Sequence, residues 1–507
     1  MFINEMKKTL NEEFNYARTE NFALGYRTTG KALLDLNFKV ASLRSASEAE
    51  IADLFMKAFY EDKLLAVKWL FYARDAREGL GERRLFRVVV EYLCRHNPNV
   101  INDLIKFIPE YGRYDDMLCI IGTQHTGIVI EIFKAQFKED ERNMAEEKPV
   151  SLLAKWLPSP NTSSKETVAK AREIIKLLGM SEVMYRKTLS KLRKYIDVVE
   201  VKMSDKQWGD IKYEAVPSRA NLIYKDAFLR NDEERRRAFL AALEKGETKI
   251  NASVLYPHDI VHRYYANRYQ LQNQDVALEE MWKALPDTVN ENGNTIVVAD
   301  GSGSMMCGVG GTHVTALSVA NALAIYFAER SSGQFKDSYI TFSESPQLID
   351  LSKCSSLREK IELALRHNEV ANTNIEAVFD LILTTATKKK MNQGELPQNI
   401  LIVSDMEFDM AVHGKLDNRL FTEIAHGFNQ NGYNLPRLIF WNVNSRTGTI
   451  PVIENDLGVA LVSGFSVNIV KMVISGELDP YKCLVDQLMS DRYNRIVLQD
   501  EILVNQR

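Results

Sequence analysis

The sequence predicts a multidomain protein in which an all-α, HEAT-like solenoid or ring precedes an α/β doubly wound domain. Three observations support this fold class. Apolar residues recur at helical spacing through most of the first 290 residues, a polar stretch follows at Val289–Asn294, and strand-like and helix-like segments alternate after it. We therefore expect an α-helical domain over residues 1–288 and an α/β domain over residues 295–507.

Composition and charge restrict the class of protein. The chain has 507 residues, of which 45% are hydrophobic and 26% are charged, which is typical of a globular protein with several domains. The net charge of -4 divides into +3 for residues 1–290 and -7 for the remainder, so a polyanion would favour the first part. The five cysteines have no CxxC or zinc-like spacing, and no segment has the pattern of a signal peptide or membrane span. We expect a cytoplasmic protein that does not associate with membranes.

Helical periodicity dominates the first part of the chain. Ser47–Tyr92 predicts paired helices interrupted by a charged hinge, Arg74–Arg84, which contains two glycines. Further helices are predicted at Gly127–Phe137, Val150–Trp156, Ser164–Leu178, Ser181–Tyr195 and Asp232–Leu243. Short helices in succession favour an α-solenoid, although no fixed repeat length is visible in the sequence.

Strands alternate with helices after residue 294. Strands are predicted at Ile296–Ala299, Ser338–Phe342, Asn399–Ser404, Arg437–Trp441 and Val459–Val462, with a short edge strand at Gln347–Leu351. Helices are predicted near Val314–Arg330, from Ser356, and near Ile375–Thr387, Asp417–Asn429, Val467–Ile474 and Tyr481–Leu488. This alternation predicts a parallel, doubly wound sheet.

Polar residues follow the first of these strands directly. The apolar run ends in Asp300, and Ser302 and Ser304 come next, separated by glycines. Ligands of open α/β sheets bind beyond the carboxyl ends of the strands, and an all-oxygen set suits a hard cation such as Mg2+. Taken alone, the motif is equally compatible with a Gly/Ser turn after a core strand.

Two other segments extend this candidate site. The strand Asn399–Ser404 is followed by Asp405, and a loop containing Thr373 precedes a predicted helix. These loops belong to the same edge of the predicted sheet, so we expect the five side chains to converge on one ion. The predicted metal ligands are Asp300, Ser302, Ser304, Thr373 and Asp405.

This pattern resembles the von Willebrand factor A domain, a Rossmann-like fold with a metal-ion-dependent adhesion site (MIDAS), over roughly residues 291–507. The resemblance implies that Ser302, Ser304 and Thr373 coordinate Mg2+, that the two aspartates act largely through water, and that one position receives a partner's carboxylate. The loop around Thr373 lacks the preceding glycine that is often present in the family.

The domain order is similar to that of the TROVE-module, Ro-type RNA-binding proteins. Segments around Asp75–Arg84, Tyr111–Asp115 and Tyr213–Ser218 are similar to a branch with the same order of domains. The resemblance implies a ribonucleoprotein in which a helical ring holds small non-coding or misfolded RNA. It further implies that the von Willebrand factor A domain closes the ring or recruits a partner.

A basic segment provides candidate RNA contacts. Residues 165–225 include 14 basic and 8 acidic residues, and basic side chains neutralise phosphates. The candidates are Arg186, Lys187, Lys191, Arg193 and Lys194. An ordinary solvated helix face would have the same composition, and Arg235–Arg237, which follows three acidic residues, is better explained by ion pairs within a helix.

Enzyme chemistry has little support in the sequence. Gly303–Gly308 lacks the Lys-Ser/Thr ending of a phosphate-binding loop, and His258 and His262 lack the adjacent Glu of a metalloprotease. No histidine partner for Ser302 or Ser304 is evident. We therefore expect a non-catalytic RNA-binding protein. The alternative is a protein–protein scaffold without RNA, in which the metal binds a partner's Asp or Glu, and a Mg2+-dependent phosphoesterase is the third possibility.

Overall fold

A computed structural model describes residues 14–267, 270–289, 294–369, 371–409, 420–451, 459–466 and 479–498, together with Ile3 and Met6. The chain divides into two compact units. One comprises Met1–Val67 and Leu255–Asn494, and the other comprises Lys68–Val254 and Arg495–Arg507. The first contains a sheet with helices and the second is helical, so the chain combines an α region with an α/β region. Within the described ranges, no helix has the length and apolar character needed to cross a bilayer.

The helical unit is built from helices joined by short turns. Helix α3 (Lys63–Arg74) contains the boundary between the two units. The α-helices that follow are α4 (Arg83–His96), α5 (Pro98–Ile101), α6 (Ile108–Tyr111), α7 (Thr126–Ala145), α8 (Leu153–Trp156), α9 (Lys165–Leu178), α10 (Glu182–Tyr195), α11 (Val199–Ser204), α12 (Ser218–Asn231) and α13 (Glu233–Glu244). Helical periodicity identified most of the longer ones, but it missed α12, whose polar residues Ser218 and Asn221 are buried.

The charged motifs of the helical unit serve its packing. Asp116 is fully buried, and its Oδ2 lies 2.7 Å from Nη2 of Arg74, while its Oδ1 lies 2.7 Å from Nε of Arg87. The Arg113 amide also donates to Asp116 Oδ2 at 2.9 Å. A buried carboxylate needs such partners, so the predicted hinge and the Tyr111–Asp115 segment are joined by an ion-pair network.

The other unit contains a two-stranded hairpin and a six-stranded sheet. The strands are β1 (Tyr16–Arg18), β2 (Leu24–Tyr26), β3 (Thr295–Asp300), β4 (Ser338–Phe342), β5 (Gln347–Asp350), β6 (Asn399–Ser404), β7 (Arg437–Asn442) and β8 (Val459–Ser463). The sheet order is β5-β4-β3-β6-β7-β8, and β5 is the only antiparallel member among the described strands. The predicted strands are confirmed to within about two residues at each end. The sheet is mixed rather than all-parallel because a short connection returns β5 beside β4.

The helices of this unit lie between its strands in the sequence and after the last one. They are α1 (Ala32–Lys39), α2 (Glu48–Glu61), α14 (Pro257–Val261), α15 (Val276–Lys283), α16 (Ala316–Arg330), α17 (Leu357–Arg366), α18 (Glu376–Lys389), α19 (Leu420–Gln430) and α20 (Pro480–Leu488). Helix α16 is buried along most of its length, which explains its apolar sequence. The predicted helix Val467–Ile474 and the first residues of the predicted helix Asp417–Asn429 lie outside the described residues.

The first 67 residues belong to the unit that contains the sheet, which differs from a division of the chain near residue 290. Tyr26 exchanges two backbone hydrogen bonds of 2.8 Å with Ile450. The side chain of Asn442, at the end of β7, donates to the Phe38 carbonyl in α1 at 2.9 Å, and the Ala41 amide donates to the Ser463 hydroxyl at 3.0 Å. These contacts join residues about 420 positions apart, which periodicity along the chain does not predict.

Candidate metal centre

The candidate site lies at the carboxyl edge of the sheet, where its winding changes direction. Strands β3 and β6 are parallel neighbours, and the connection after β3 leads to β4 on one side while β6 continues to β7 on the other. At such a point the loops after the two strands separate and leave a crevice. Asp300 ends β3 and Asp405 directly follows β6, so the sheet register brings the two carboxylates to the same crevice.

Hydrogen bonds hold the first loop around Asp300. This residue is fully buried, its Oδ1 accepts from the Ser302 amide at 2.9 Å, and its Oδ2 accepts from the Ser404 hydroxyl at 2.6 Å. The hydroxyls of Ser302 and Ser304 lie 3.1 Å apart. The carboxylate thus orients the turn while the two hydroxyls remain side by side.

The second carboxylate belongs to an unusual turn. Asp405 is fully buried, and its Oδ1 accepts from the Glu407 amide at 3.3 Å. Between them, Met406 has a φ of 65°, and its amide donates to the Ser404 hydroxyl at 2.9 Å. A non-glycine residue in this region carries a conformational cost of about 1–2 kcal/mol, and such residues cluster at functional sites.

Backbone hydrogen bonds connect the loop of Thr373 to both strand ends. The Gly303 amide donates to the Ala371 carbonyl at 3.0 Å, which joins this loop to the one after β3. The Thr373 amide donates to Asp409 Oδ2 at 2.9 Å, and the Asp409 amide donates to the Thr373 carbonyl at 3.0 Å. Thr373 is 1% exposed. The three predicted loops therefore form one connected edge.

The electrostatics of this edge favour a cation. Burial, followed by the charge of Asp300, raises the pKa of Asp405 from 3.8 to about 7. Burial, with a smaller contribution from Asp409, raises the pKa of Asp300 from 3.8 to about 6. Two buried carboxyls that oppose each other's ionisation gain stability when a positive ion is supplied.

The surroundings of one oxygen atom, Oδ2 of Asp405, indicate whether these residues suit a metal. Asp405 Oδ2 is buried and accepts no hydrogen bond of normal geometry from the described residues, although the Ser304 hydroxyl lies near enough to lower the pKa of this carboxyl, and Nη2 of Arg446 is 3.6 Å away. An unpartnered buried carboxylate oxygen is costly, and a cation would supply what it lacks. Within the described ranges, no group of three or more His, Cys, Asp or Glu side chains is arranged to hold a metal ion, so an ion at this edge would depend on the hydroxyls of Ser302, Ser304 and Thr373. The residues fit Mg2+, which prefers oxygen ligands and keeps several waters.

Glu407 is a structural residue of this edge that the sequence analysis did not identify. It is fully buried and accepts from the Arg446 amide at 3.0 Å and from the Thr447 amide and hydroxyl at 2.9 and 3.0 Å. It also accepts from the Glu20 amide at 2.9 Å. The sequence does contain a pattern that could have predicted it, because acidic residues occur at every second position, Asp405, Glu407 and Asp409, after a buried strand.

Residues of the N-terminal hairpin also reach the site. The turn between β1 and β2 places Asn21 so that its amide nitrogen donates to the Thr373 hydroxyl at 3.3 Å and to the Glu407 carbonyl at 2.8 Å. Next to it, the Glu20 carboxylate pairs with Arg446, with the closest atoms 2.5 Å apart. Burial tends to lower the pKa of Arg446, but the hydrogen bond with Glu20 and the charge of Asp405 outweigh that effect and raise it.

The five predicted RNA-contact residues all lie on helix α10, on two adjacent strips. Lys187, Lys191 and Lys194 are exposed at i, i+4 and i+7 spacing. Arg186 and Arg193 belong to the neighbouring strip, and together with Lys187 they line a cavity of about 460 Å³. The predicted residues are therefore close together but have different surroundings.

The two arginines of this set are engaged within the helical unit. Arg193 donates through Nε to the Ala154 carbonyl and through Nη2 to the Leu157 carbonyl, both at 2.8 Å. Arg186 donates to the side-chain oxygen of Asn161 at 2.7 and 2.9 Å, once the Asn161 amide is oriented to accept. The bonds of Arg193 satisfy carbonyls in and directly after the short helix α8 and fix α10 against it.

The basic triplet in α13 behaves as its acidic neighbours predict. Arg235 pairs with Asp232 at 2.9 Å across three residues, and Arg237 pairs with Glu233 at 2.8 Å across four. Arg236 is buried, and its guanidinium lies over the rings of Tyr213, Phe228 and Phe239 at 4.9, 5.3 and 5.2 Å from their centroids. The triplet therefore stabilises its own helix and core.

Family comparisons cover both parts of the chain. A domain of unknown function (DUF2828) matches residues 19–110 and 163–295, and a domain of unknown function (DUF7788) matches residues 294–492. The chain is also 30% identical to "Uncharacterized protein L728" of Acanthamoeba polyphaga mimivirus, in an alignment 527 positions long, gaps included, that covers 96% of this chain and 90% of the viral protein. Because this similarity extends over nearly the whole of both proteins, the chain belongs to the same family as the viral protein.

Proposed function

We propose that this is a non-catalytic binding protein with two activities. The carboxyl edge of its sheet holds a divalent cation, by preference Mg2+, and uses it to bind a carboxylate of a protein partner, as in von Willebrand factor A domains with a metal-ion-dependent adhesion site. Its helical region, of HEAT-like solenoid type, binds RNA, as in the Ro-type proteins that share this order of domains.

The metal half of the proposal is supported by the hydrogen bonds that connect the three loops and by a buried Asp405 oxygen that accepts no hydrogen bond. Ser302, Ser304 and Thr373 supply hydroxyl oxygens, while Asp300 and Asp405 supply the negative charge. A cation surrounded mainly by neutral hydroxyls and water keeps a strong attraction for an incoming anion. The bound ion would attract the partner's carboxylate, and the side chains of the three loops would fix the position of the ion.

The surroundings of the serines favour binding over catalysis. Ser302 and Ser304 lie within hydrogen-bonding distance of each other, and neither bonds to a histidine among the described residues. A serine nucleophile needs a base within hydrogen-bonding reach. The arrangement thus supports an adhesion role, in which the hydroxyl oxygens serve as ligands.

A calorimetric titration tests the metal half. We expect the wild-type protein to bind one Mg2+ per chain and Asp300→Ala to show no binding heat under the same conditions, because the substitution removes the carboxylate that orients Ser302. Glu344→Gln is a matched control, since Glu344 is exposed in the loop after β4 at the same edge of the sheet. Equal Mg2+ affinities for the wild type and Asp300→Ala would refute the metal half.

The lysine strip of α10 supports the RNA half. Lys187, Lys191 and Lys194 form no ion pair with any described residue, so their charges remain available to phosphates. Each phosphate contact releases counterions, and the logarithm of the affinity for a single strand falls by about 0.7 per contact for each decade of salt. Three contacts therefore predict a measurable change in salt dependence.

Substitution of the three lysines by glutamine tests the RNA half. We expect the salt slope for a single-stranded RNA to weaken by about 2 and the affinity to fall roughly tenfold at moderate salt. Arg193 should be left intact because its loss would expose carbonyls and disturb the fold. Replacing the exposed Lys388, Lys389 and Lys390 by glutamine removes the same charge from α18 and its end and should leave RNA binding unchanged.

A protein–protein scaffold without RNA is the second candidate. It is favoured by the engagement of Arg186 and Arg193 inside the helical unit, which reduces the basic surface available to RNA. If the wild type binds no RNA, this candidate replaces the RNA half while the metal half stands. If the wild type and both lysine variants bind RNA equally, the lysine strip of α10 is refuted as the RNA-binding surface.

A further inference from the structure

The turn of the N-terminal hairpin lies directly against the candidate metal centre. Thr19 donates its hydroxyl hydrogen to the Phe408 carbonyl at 2.7 Å, and the Glu20 amide donates to Glu407 Oε2 at 2.9 Å. Asn21 reaches one of the predicted ligands, since its amide nitrogen lies 3.3 Å from the Thr373 hydroxyl oxygen. A hydroxyl oxygen has two lone pairs, so this bond leaves one for a cation.

Arg446 connects this turn to the Asp405 carboxylate, whose Oδ2 accepts no hydrogen bond. A single nitrogen, Nη2, lies 2.5 Å from Glu20 Oε2 and 3.6 Å from Asp405 Oδ2. The backbone of Arg446 is fixed, because its amide donates to the buried Glu407. The guanidinium therefore faces a buried carboxylate of the site on one side and a carboxylate of the chain's own turn on the other.

We propose that Arg446 is the carboxylate-selecting residue of the adhesion site and that Glu20 is a tethered stand-in for the partner's carboxylate. The inference rests on the proposed metal site and extends it to the recognition of the partner. An incoming Asp or Glu side chain takes the place of Glu20 on Arg446, and the hairpin turn must release its carboxylate for the partner to bind.

The tether explains why Glu20 would control the affinity. A group on the same chain acts at an effective concentration in the millimolar range or above, so a free carboxylate competes at a disadvantage. The affinity for an external carboxylate is reduced by the fraction of molecules in which Arg446 is already occupied. Glu20 is exposed and its ion pair is accessible to solvent, so the contact is weak enough to be displaced.

A titration with a blocked glutamate, N-acetylglutamate methylamide, tests the proposal. Its side chain is its only charge, and saturation-transfer NMR measures its weak binding to the full-length protein. With Mg2+ present, we expect Glu20→Gln to bind the probe about tenfold more tightly than the wild type, and Glu344→Gln to match the wild type. Adding Arg446→Gln to the Glu20→Gln variant should abolish the gain, and blocked glutamine should bind to none of the variants.

Hydrogen exchange of the wild type provides a second readout that needs no variant. Saturating Mg2+ and blocked glutamate should accelerate exchange of the Glu20 amide, which the turn holds on Glu407. The titration and the calorimetry together separate two failures. If the protein binds Mg2+ but Glu20→Gln and the wild type bind the probe equally, the roles of Arg446 and Glu20 are refuted and the metal site stands. If no variant binds Mg2+, both the metal site and this extension of it are refuted.

Discussion

The carboxyl edge of the sheet and the basic face of α10 are both predicted binding surfaces, but they are built in opposite ways. At the sheet edge, Asp300 and Asp405 are completely buried, and hydrogen bonds connect the loop of Thr373 to the loops after β3 and β6. On α10, Lys187, Lys191 and Lys194 project into solvent from one regular helix. The first surface is specified by tertiary structure, and the second is specified by helical spacing alone.

This difference decides what each surface can select. A buried carboxylate has a fixed position and few alternatives, so it can discriminate between ions by size and ligand type. Exposed lysines are mobile point charges that attract any polyanion and give little specificity. We therefore expect substitutions at the sheet edge to produce large and sharply localised effects, and those on α10 to produce graded ones.

Asp405→Asn is the strongest test of the buried surface, the carboxyl edge of the sheet. The variant keeps the oxygen that accepts from the Glu407 amide and replaces the unpartnered one. We expect Mg2+ affinity to fall by about 10- to 100-fold, because the charge opposite Asp300 is lost. Without metal, the variant should melt at the same temperature as the wild type or higher, because one of two opposing buried charges is gone.

Calorimetry and thermal melts in a chelator measure both effects, and Glu344→Gln serves as the control. A variant that loses Mg2+ binding and also melts well below the wild type in chelator would contradict the account. That result would mean that Asp405 is needed for folding rather than reserved for a cation.

Glu407→Gln sharpens the comparison by separating a structural carboxylate from a metal-binding one. Glu407 accepts hydrogen bonds from Glu20, Arg446 and Thr447, and an amide would turn two hydrogens toward these donors. We expect the free energy of unfolding to fall by about 1–3 kcal/mol. Urea denaturation measures the change, and an unaltered midpoint would show that this carboxylate does not hold the loops together.

The pH dependence of Mg2+ binding follows from the raised pKa values of the two buried carboxyls. Burial raises the pKa values of Asp300 and Asp405 from 3.8 to about 6 and 7, so the native metal-free protein holds more protons than the unfolded chain between those limits. The stability of the metal-free protein should fall as the pH rises through this window, because deprotonation leaves two buried negative charges that repel each other. Mg2+ displaces the same protons, so its apparent affinity should rise by up to about tenfold per pH unit for each proton displaced and level off above about pH 8. Calorimetry across this range checks the trend, and a constant affinity below pH 7 would oppose it.

Much of the fold could be predicted from local pattern. Buried strands such as β3 and β6 are continuous apolar runs, and the polar residues after them mark the carboxyl edge. The assignment of the first 67 residues to the sheet's unit could not be predicted, because it depends on contacts such as Asn442 with Phe38 across 404 positions. Local periodicity contains no information on such pairings.

The placement of some candidate-site residues could also be predicted from local pattern, and that of others could not. Asp300, Ser302 and Asp405 follow strands, so their places derive from the sheet alone. Arg446 and Glu20 were not predicted, because they meet across 426 positions and neither belongs to a recognisable motif. The structure also changes the interpretation of Arg193, which periodicity places on a basic face but whose guanidinium bonds to two carbonyls.

The most direct measurement is a crystal structure of the full-length protein with Mn2+, whose anomalous scattering locates the ion. Mn2+ takes the same oxygen ligands as Mg2+. The account predicts one strong anomalous peak at the carboxyl edge between β3 and β6, within coordination distance of the Ser302 and Ser304 hydroxyls and beside Asp405. A peak elsewhere, or no peak at this edge with Mn2+ at a saturating concentration, would contradict it.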